Sequence, residues 1–344
     1  MRNRARPEAF VEKRLSGSGG LLLSMRPVSH GLFLAALCAA SQIYSAPLAS
    51  AQAAPHMKAV SRSFDPLTAP ATHRLLPGKI VFSMLVTPDL PRAETFYSQL
   101  FGWGFRPVGN GKTQRIEIML GSQPIGTVVA HRLDDPRHDV PFWTPFLSTS
   151  DTATVARVTR KQGGKVLFGP KQMEGLGEAL IVADPQHGVY GALSAQAGDP
   201  VDPQSSEVAA IPALNNWAWA TLLSPEPKAA AGFYQLLFNY KIVASPEEER
   251  TGHYMLMSQD RERASVNKLP DGIDQKDTAR WIQFIQVQSS ADTARKAETL
   301  GGKIIVPVHL DRDGAKIAIL ADPGGAVFGL IEPQKDDLSE GVAP

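Results

Sequence analysis

Cysteine is almost missing from this chain. Cys38 is the only one among 344 residues, and it lies in an apolar N-terminal segment. No intramolecular disulfide can form and no cysteine-rich zinc site can be built, so the fold must stand on its apolar core. Neither sign of charge is in excess: Lys plus Arg number 35, Asp plus Glu 34, and the formal net charge is +1. A protein that neutralises many phosphates carries a basic excess or stripe, and its lack here argues against nucleic acid as a partner. The apolar run Gly31 to Ala40, GLFLAALCAA, is about half the roughly 20 residues that a bilayer crossing needs, so no integral membrane span is expected. Three catalytic signatures are also wanting: a Ser-His-Asp order, a glycine loop for phosphate, and a cysteine nucleophile.

What is present is ordinary globular composition, with 43% apolar and 20% charged residues, in a chain long enough for about two domains. Arg26 precedes the apolar run and small residues follow it in APLASAQAAP. Ala51-Gln52-Ala53 supplies the small-x-small pattern of a signal-peptidase site, with cleavage before Ala54; Ala49-Ser50-Ala51 is the second choice. A periplasmic or secreted protein is the expectation. The first 24 residues mix Arg2, Arg4, Arg6, Lys13 and Arg14 with Glu8 and Glu12 and fit badly as a leader, which points to initiation at Met25; the alternative is a long basic region from Met1. A lipid anchor on Cys38 is less expected, because Leu37 stands where a lipidation site wants a small residue.

Laid against itself, the chain repeats. Phe96-Tyr97-Ser98-Gln99-Leu100-Phe101-Gly102-Trp103 returns as Phe233-Tyr234-Gln235-Leu236-Leu237-Phe238-Asn239-Tyr240, and Thr87-Pro88-Asp89 as Ser224-Pro225-Glu226. Trp143 answers Trp281, Gly163-Gly164-Lys165 answers Gly301-Gly302-Lys303, and Asp184-Pro185 answers Asp322-Pro323. Such ordered matches at nearly constant spacing mark a duplicated domain. The division is a leader over 1–53, an extended tether over 54–77, copies over 78–196 and 215–333, a linker over 197–214 rich in proline and small polar residues, and an acidic tail over 334–344.

Each copy predicts the order β-α-β-β-β twice. The opening strands cover 79–86 and 216–223. The following helices start just after Asp89 and Glu226, where negative charge favours a helix N-terminus. Apolar residues at steps of three and four (Ala93, Phe96, Tyr97, Leu100, Phe101) give the first helix one buried stripe. A second helix in each copy stops at Gly-Gly, where a left-handed ending is cheap. One such module leaves a sheet face bare, so modules are expected to pair. Glu247, Glu248 and Glu249 read as a solvated loop.

This order, with Phe-Tyr-x-x-Leu-Phe-Gly-Trp, Gly-Gly-Lys and Asp-Pro-x-Gly or Asp-Pro-x-x-Gly in sequence, resembles the vicinal oxygen chelate superfamily of glyoxalases, bleomycin-resistance proteins and dioxygenases. The resemblance covers roughly 240 residues. It implies an α+β fold of two tandem domains, each a pair of β-α-β-β-β modules forming a cupped mixed sheet. Metal-using members hold a divalent cation with side chains at three strand positions. Here those positions carry Phe82, Trp143-Thr144 and Gly191 in copy one, and Trp219, Trp281-Ile282 and Gly329 in copy two. These supply almost no ligands for such a cation, so neither metal nor another cofactor is expected. His131 and His138 fall in a charged loop, His187 in a turn, and His309 on the surface.

The same resemblance turns Phe82, Met84 and Trp143 of copy one toward its cup. In copy two it does the same for Trp219, Thr221, His253 and Trp281. Aromatic walls with one or two polar groups suit a small organic molecule. The expected function is therefore an exported protein that binds such a molecule without metal, as a monomer with an internal pseudo-dimer or as a homodimer. Two alternatives stand beside it: a divalent-metal enzyme of glyoxalase or dioxygenase type with displaced ligands, and one binding domain joined to one structural domain.

Overall fold

The computed structural model describes residues 62–109, 115–130, 141–202, 213–270 and 279–333. The signal-like segment, Met25, Cys38, His131, His138 and the acidic tail lie outside the described residues. Copy one consists of β1 Ile80–Thr87, α1 Leu90–Phe101, β2 Gly104–Val108, β3 Arg115–Leu120, β4 Gln123–Ala130, β5 Phe142–Ser148, α2 Thr152–Lys161, β6 Lys165–Met173, β7 Gly177–Ala183 and β8 Val189–Ala195. Copy two consists of β9 Trp217–Ser224, α3 Pro227–Phe238, β10 Lys241–Val243, α4 Pro246–Thr251, β11 His253–Ser258, β12 Arg261–Lys268, β13 Arg280–Gln286, α5 Ser290–Thr299, β14 Lys303–Leu310, β15 Lys316–Ala321 and β16 Val327–Glu332.

Each copy forms one eight-stranded mixed sheet, in the orders β2-β3-β4-β1-β5-β8-β7-β6 and β10-β11-β12-β9-β13-β16-β15-β14. The two modules of a copy meet at its centre, where β1 runs antiparallel to β5 and β9 to β13. This is the expected α+β tandem architecture. Local chemistry sets the helix ends. The Asp89 carboxylate accepts from the Arg92 amide at 3.1 Å and caps α1, while Gly102 and Asn239 end α1 and α3 in the left-handed region. The run Glu247–Glu249 is not a loop but part of α4. Ser245 and Glu248 form a reciprocal capping box there with Pro246 in the first turn, so acidic side chains serve a helix start.

The sheets stand back to back with the helices between them, and two shared cores fill the space. Tyr97, Phe101, Trp103 and Trp143 of copy one pack with Ile285, Ala294, Leu320 and Phe328 of copy two. Leu147, Val155, Val182 and Tyr190 of copy one pack with Phe233, Tyr234, Tyr254 and Trp281 of copy two. Thus each first module packs on the second module of the other copy. Fully burying side chains of this size stabilises by about 1.5–3 kcal/mol each, so neither copy's helical face is left to water.

The stretch 62–77 is not an extended tether. It crosses the outer face of the first sheet, where Phe64 and Leu67 join a third core with Phe82, Met84, Val86, Phe146, Ile181 and Leu193. Phe64 meets Phe82 edge to face at 6.4 Å between ring centroids. Gly175, at φ +83°, permits this approach, since a Cβ there would lie 1.9 Å from the Phe64 carbonyl oxygen. No described helix is long and apolar enough to cross a membrane.

Candidate functional site

Strand alternation decides which side chains face the helices and which face outward into the cup. On β9, Ala220 and Leu222 enter the shared core, so Trp219, Thr221 and Leu223 line the cup. Pairing then places their neighbours: Ser265 beside Thr221, Asn267 beside Leu223, Ile282 on the other side of Thr221, and Phe284 beside Trp219. Met255 lies opposite Ser265, and His253 opposite Asn267. On the far side, Gly329 pairs with Phe284 and with Ile319, and Ile331 with Ile317.

The expected site residues divide on this rule. Trp219, Thr221 and His253 share the cup of copy two. Phe82 and Met84 occupy the matching face of copy one. Trp143 and Trp281 face the opposite way: Trp143 donates its indole N–H to the Tyr97 hydroxyl at 2.8 Å and Trp281 to the Tyr234 hydroxyl at 3.0 Å, both deep in the shared cores. The residue that looks into the cup at each of these places is the next one along, Thr144 and Ile282. The phase of alternation, not the identity of the strand, decides this.

A polar corner sits within the apolar cup of copy two. The hydroxyls of Thr221 and Ser265 are 2.9 Å apart, and the Trp219 indole N–H donates to Ser265 Oγ at 3.4 Å. His253 Nδ1 contacts the Asn267 side-chain oxygen, and His253 Nε2 lies 3.9 Å from Glu248. Glu248 itself is held well below the usual carboxylate range, at about 2, by hydrogen bonds from Ser245 and by Arg312. It therefore stays ionised beside the imidazole at neutral pH. Sequence reasoning missed Met255, Met257, Ser265, Asn267 and Phe284, because only the strand register brings them beside Trp219 and Thr221.

The two cups differ in cover. Phe82, Val86, Glu117, Met119, Ile181 and Leu193 are all buried in copy one, whereas their counterparts Trp219, Leu223, Met255, Met257, Ile319 and Ile331 are half-buried. Phe64 and Leu67 supply the difference. A charged latch holds them: the Asp65 amide donates to Glu117 Oε1 at 2.9 Å, and Arg106 bridges the Glu117 and Asp65 carboxylates. Burial pushes the Glu117 carboxyl up, against the pull of Arg106 and the Asp65 amide.

A cation held as in metal-using members of the superfamily does not fit these residues. At the third ligand position, a Cβ on Gly191 would lie 2.4 Å from the Phe146 ring, and one on Gly329 2.1 Å from the Phe284 ring. A carboxylate side chain has no room where a neighbouring phenyl ring already lies. The other two positions present Phe82 and Thr144, or Trp219 and Ile282. Among the described residues no three His, Cys, Asp or Glu side chains gather elsewhere as a set of ligands. His187 sits in a turn at φ 69°, and His309 is exposed.

No family model matches the chain. It is 23% identical over 253 residues to the Mycobacterium bovis protein CFP32, which carries a glyoxylase name, covering 72% of this chain and 92% of that protein. It is 25% identical over 280 residues to the anthracycline biosynthesis protein DauV of a Streptomyces species, covering 75% and 94%. Among solved structures it is similar to the Mn(II)-bound glyoxalase from Novosphingobium aromaticivorans, with TM-score 0.50 and 14% identity over 75% of this chain and 83% of that one. It is also similar to the 2,2',3-trihydroxybiphenyl 1,2-dioxygenase from Sphingomonas wittichii, with TM-score 0.51 and 11% identity over 75% and 91%. The fold and its cups define a tandem α+β protein of paired β-α-β-β-β modules. That is the vicinal oxygen chelate fold, in a glyoxalase-like tandem form.

Proposed function

We propose that the cup of copy two binds a small, flat organic molecule without a metal ion, while the cup of copy one is covered by its own chain. One observation carries this reading: apolar side chains that are buried in cup one stand half-exposed, on equivalent strands, in cup two. Trp219, Phe284, Met255 and Ile319 offer a face for a ring system, and Thr221, Ser265 and Asn267 offer hydrogen bonds to orient it. Methionines beside an aromatic wall suit irregular apolar ligands. A relative named for anthracycline biosynthesis agrees with a polycyclic aromatic ligand. The metal-free part of the proposal rests on the phenyl rings over Gly191 and Gly329.

The signal-like sequence before Ala54 supports export, and the ligand would then be met outside the cytoplasm. Native mass spectrometry of protein purified from its own host tests the reading. The expected result is one retained organic molecule per chain and no divalent cation. A stoichiometric Zn, Ni, Mn or Fe would overturn the metal-free reading.

A further inference from the structure

Phe64 and Leu67 occupy cup one much as a bound ligand would. Of residues 62–77 they alone are buried; the rest of the stretch is exposed or half-exposed. Between 62 and 67, three backbone contacts among the described residues tie the segment down: Arg62 to Gly109, the Phe64 amide to Glu174 at 3.1 Å, and the Asp65 amide to Glu117. The strands beneath it are tied along both edges by full ladders. Below the segment, the Thr144 hydroxyl faces the same cup, fully buried and with no hydrogen-bond partner. The segment thus fills the cup with two buried side chains held by few backbone ties.

We infer that cup one is a second binding site whose own chain segment, Phe64 to Leu67, is an internal competitor for it. The occupant shows the chemistry required: an aromatic ring edge-on to Phe82, next to an N–H donor aimed at the Glu117 carboxylate. An external ligand of the same class is an uncharged aromatic molecule carrying an N–H or O–H beside its ring. A further polar atom on it would reach the Thr144 hydroxyl. Binding requires the Asp65–Arg106–Glu117 latch to open, exposing only two large apolar side chains of the segment. The inference concerns copy one and stands whether or not cup two binds.

Hydrogen exchange on the full chain carrying Trp219→Ala, with the probe N-phenylnaphthylamine, tests it. The Phe64 and Asp65 amides are expected to exchange on the order of 100-fold faster than those of β1, through a local opening. Rising probe concentration should speed their exchange further while leaving β1 unchanged. Exchange of Phe64 and Asp65 as slow as that of β1, or unmoved by probe, would make the segment ordinary core and overturn the inference. Adding Phe64→Ala and Leu67→Ala to the same background should create one high-affinity probe site per chain. A folded variant that gains none would overturn it as well, and the exchange measurement decides the matter if that variant does not fold.

Discussion

The Tyr97 hydroxyl of copy one donates to the Asp322 carboxylate of copy two at 3.1 Å, and Tyr234 of copy two returns the contact to Asp184 of copy one at 3.0 Å. Each tyrosine also accepts from the indole of its own copy, Trp143 or Trp281. The Phe-Tyr, Trp and Asp-Pro repeats that reveal the duplication thus assemble into two reciprocal clasps across a pseudo-two-fold. Tyr97→Phe and Tyr234→Phe are expected to cost about 1–3 kcal/mol each, because a buried carboxylate and a buried indole N–H lose their shared partner. Urea unfolding should show similar losses for both; a loss at only one clasp would contradict their equivalence.

The clasps also set a pH dependence. Burial raises the Asp184 carboxyl to about 6, outweighing the donors from Tyr234 and from the Gln186 and Gly188 amides, and it raises Asp322 too. The native state therefore holds these protons more tightly than the unfolded chain does. The Asp184 contribution is full below the unfolded value near 4 and is lost as pH rises through about 6, on the order of 3 kcal/mol, and that of Asp322 has the same sign. Asp184→Asn should flatten the fall in melting temperature between pH 4 and pH 7, on the order of that window. Parallel curves for wild type and variant would refute it.

Trp219 and Trp281 should respond differently to truncation. Trp281 is 6% exposed in a shared core, so Trp281→Ala should cost about 3–5 kcal/mol. Half-buried Trp219 should cost clearly less in the same urea titration. Equal losses would place Trp219 among the core residues.

Gly329 and Gly191 owe their identity to the phenyl rings beside them. Gly329→Ala and Gly191→Ala should each destabilise by about 1–3 kcal/mol through overpacking. Pairing Gly329→Ala with Phe284→Leu should recover part of that loss. No recovery would show that the ring is not what excludes a side chain.

Much of this architecture is legible in the sequence. Ordered motif repeats locate both copies, and stripes such as Ala93, Phe96, Tyr97, Leu100 and Phe101 mark the helices. The site was legible only in part. Trp219 and Thr221 follow from one strand's alternation, but Ser265, Asn267 and Phe284 depend on register with other strands. Trp143 and Trp281 lay one residue out of phase with the cup. Phe64 and Leu67 were invisible for another reason: in a stretch rich in proline and small polar residues, two isolated apolar side chains carry no periodic signal. The acidic run at Glu247 shows the converse, since a capping box was spelled out in Ser-Pro-Glu-Glu yet charge density suggested a loop.

Cup two is open, and cup one is filled by its own chain. Equilibrium titration of the metal-free full chain with N-phenylnaphthylamine, read by probe fluorescence and by quenching of indole emission, tests it most directly. One high-affinity site per chain is expected, abolished by Trp219→Ala in a variant that stays folded. Two equivalent high-affinity sites in the wild type, or one that survives Trp219→Ala unchanged, would contradict it.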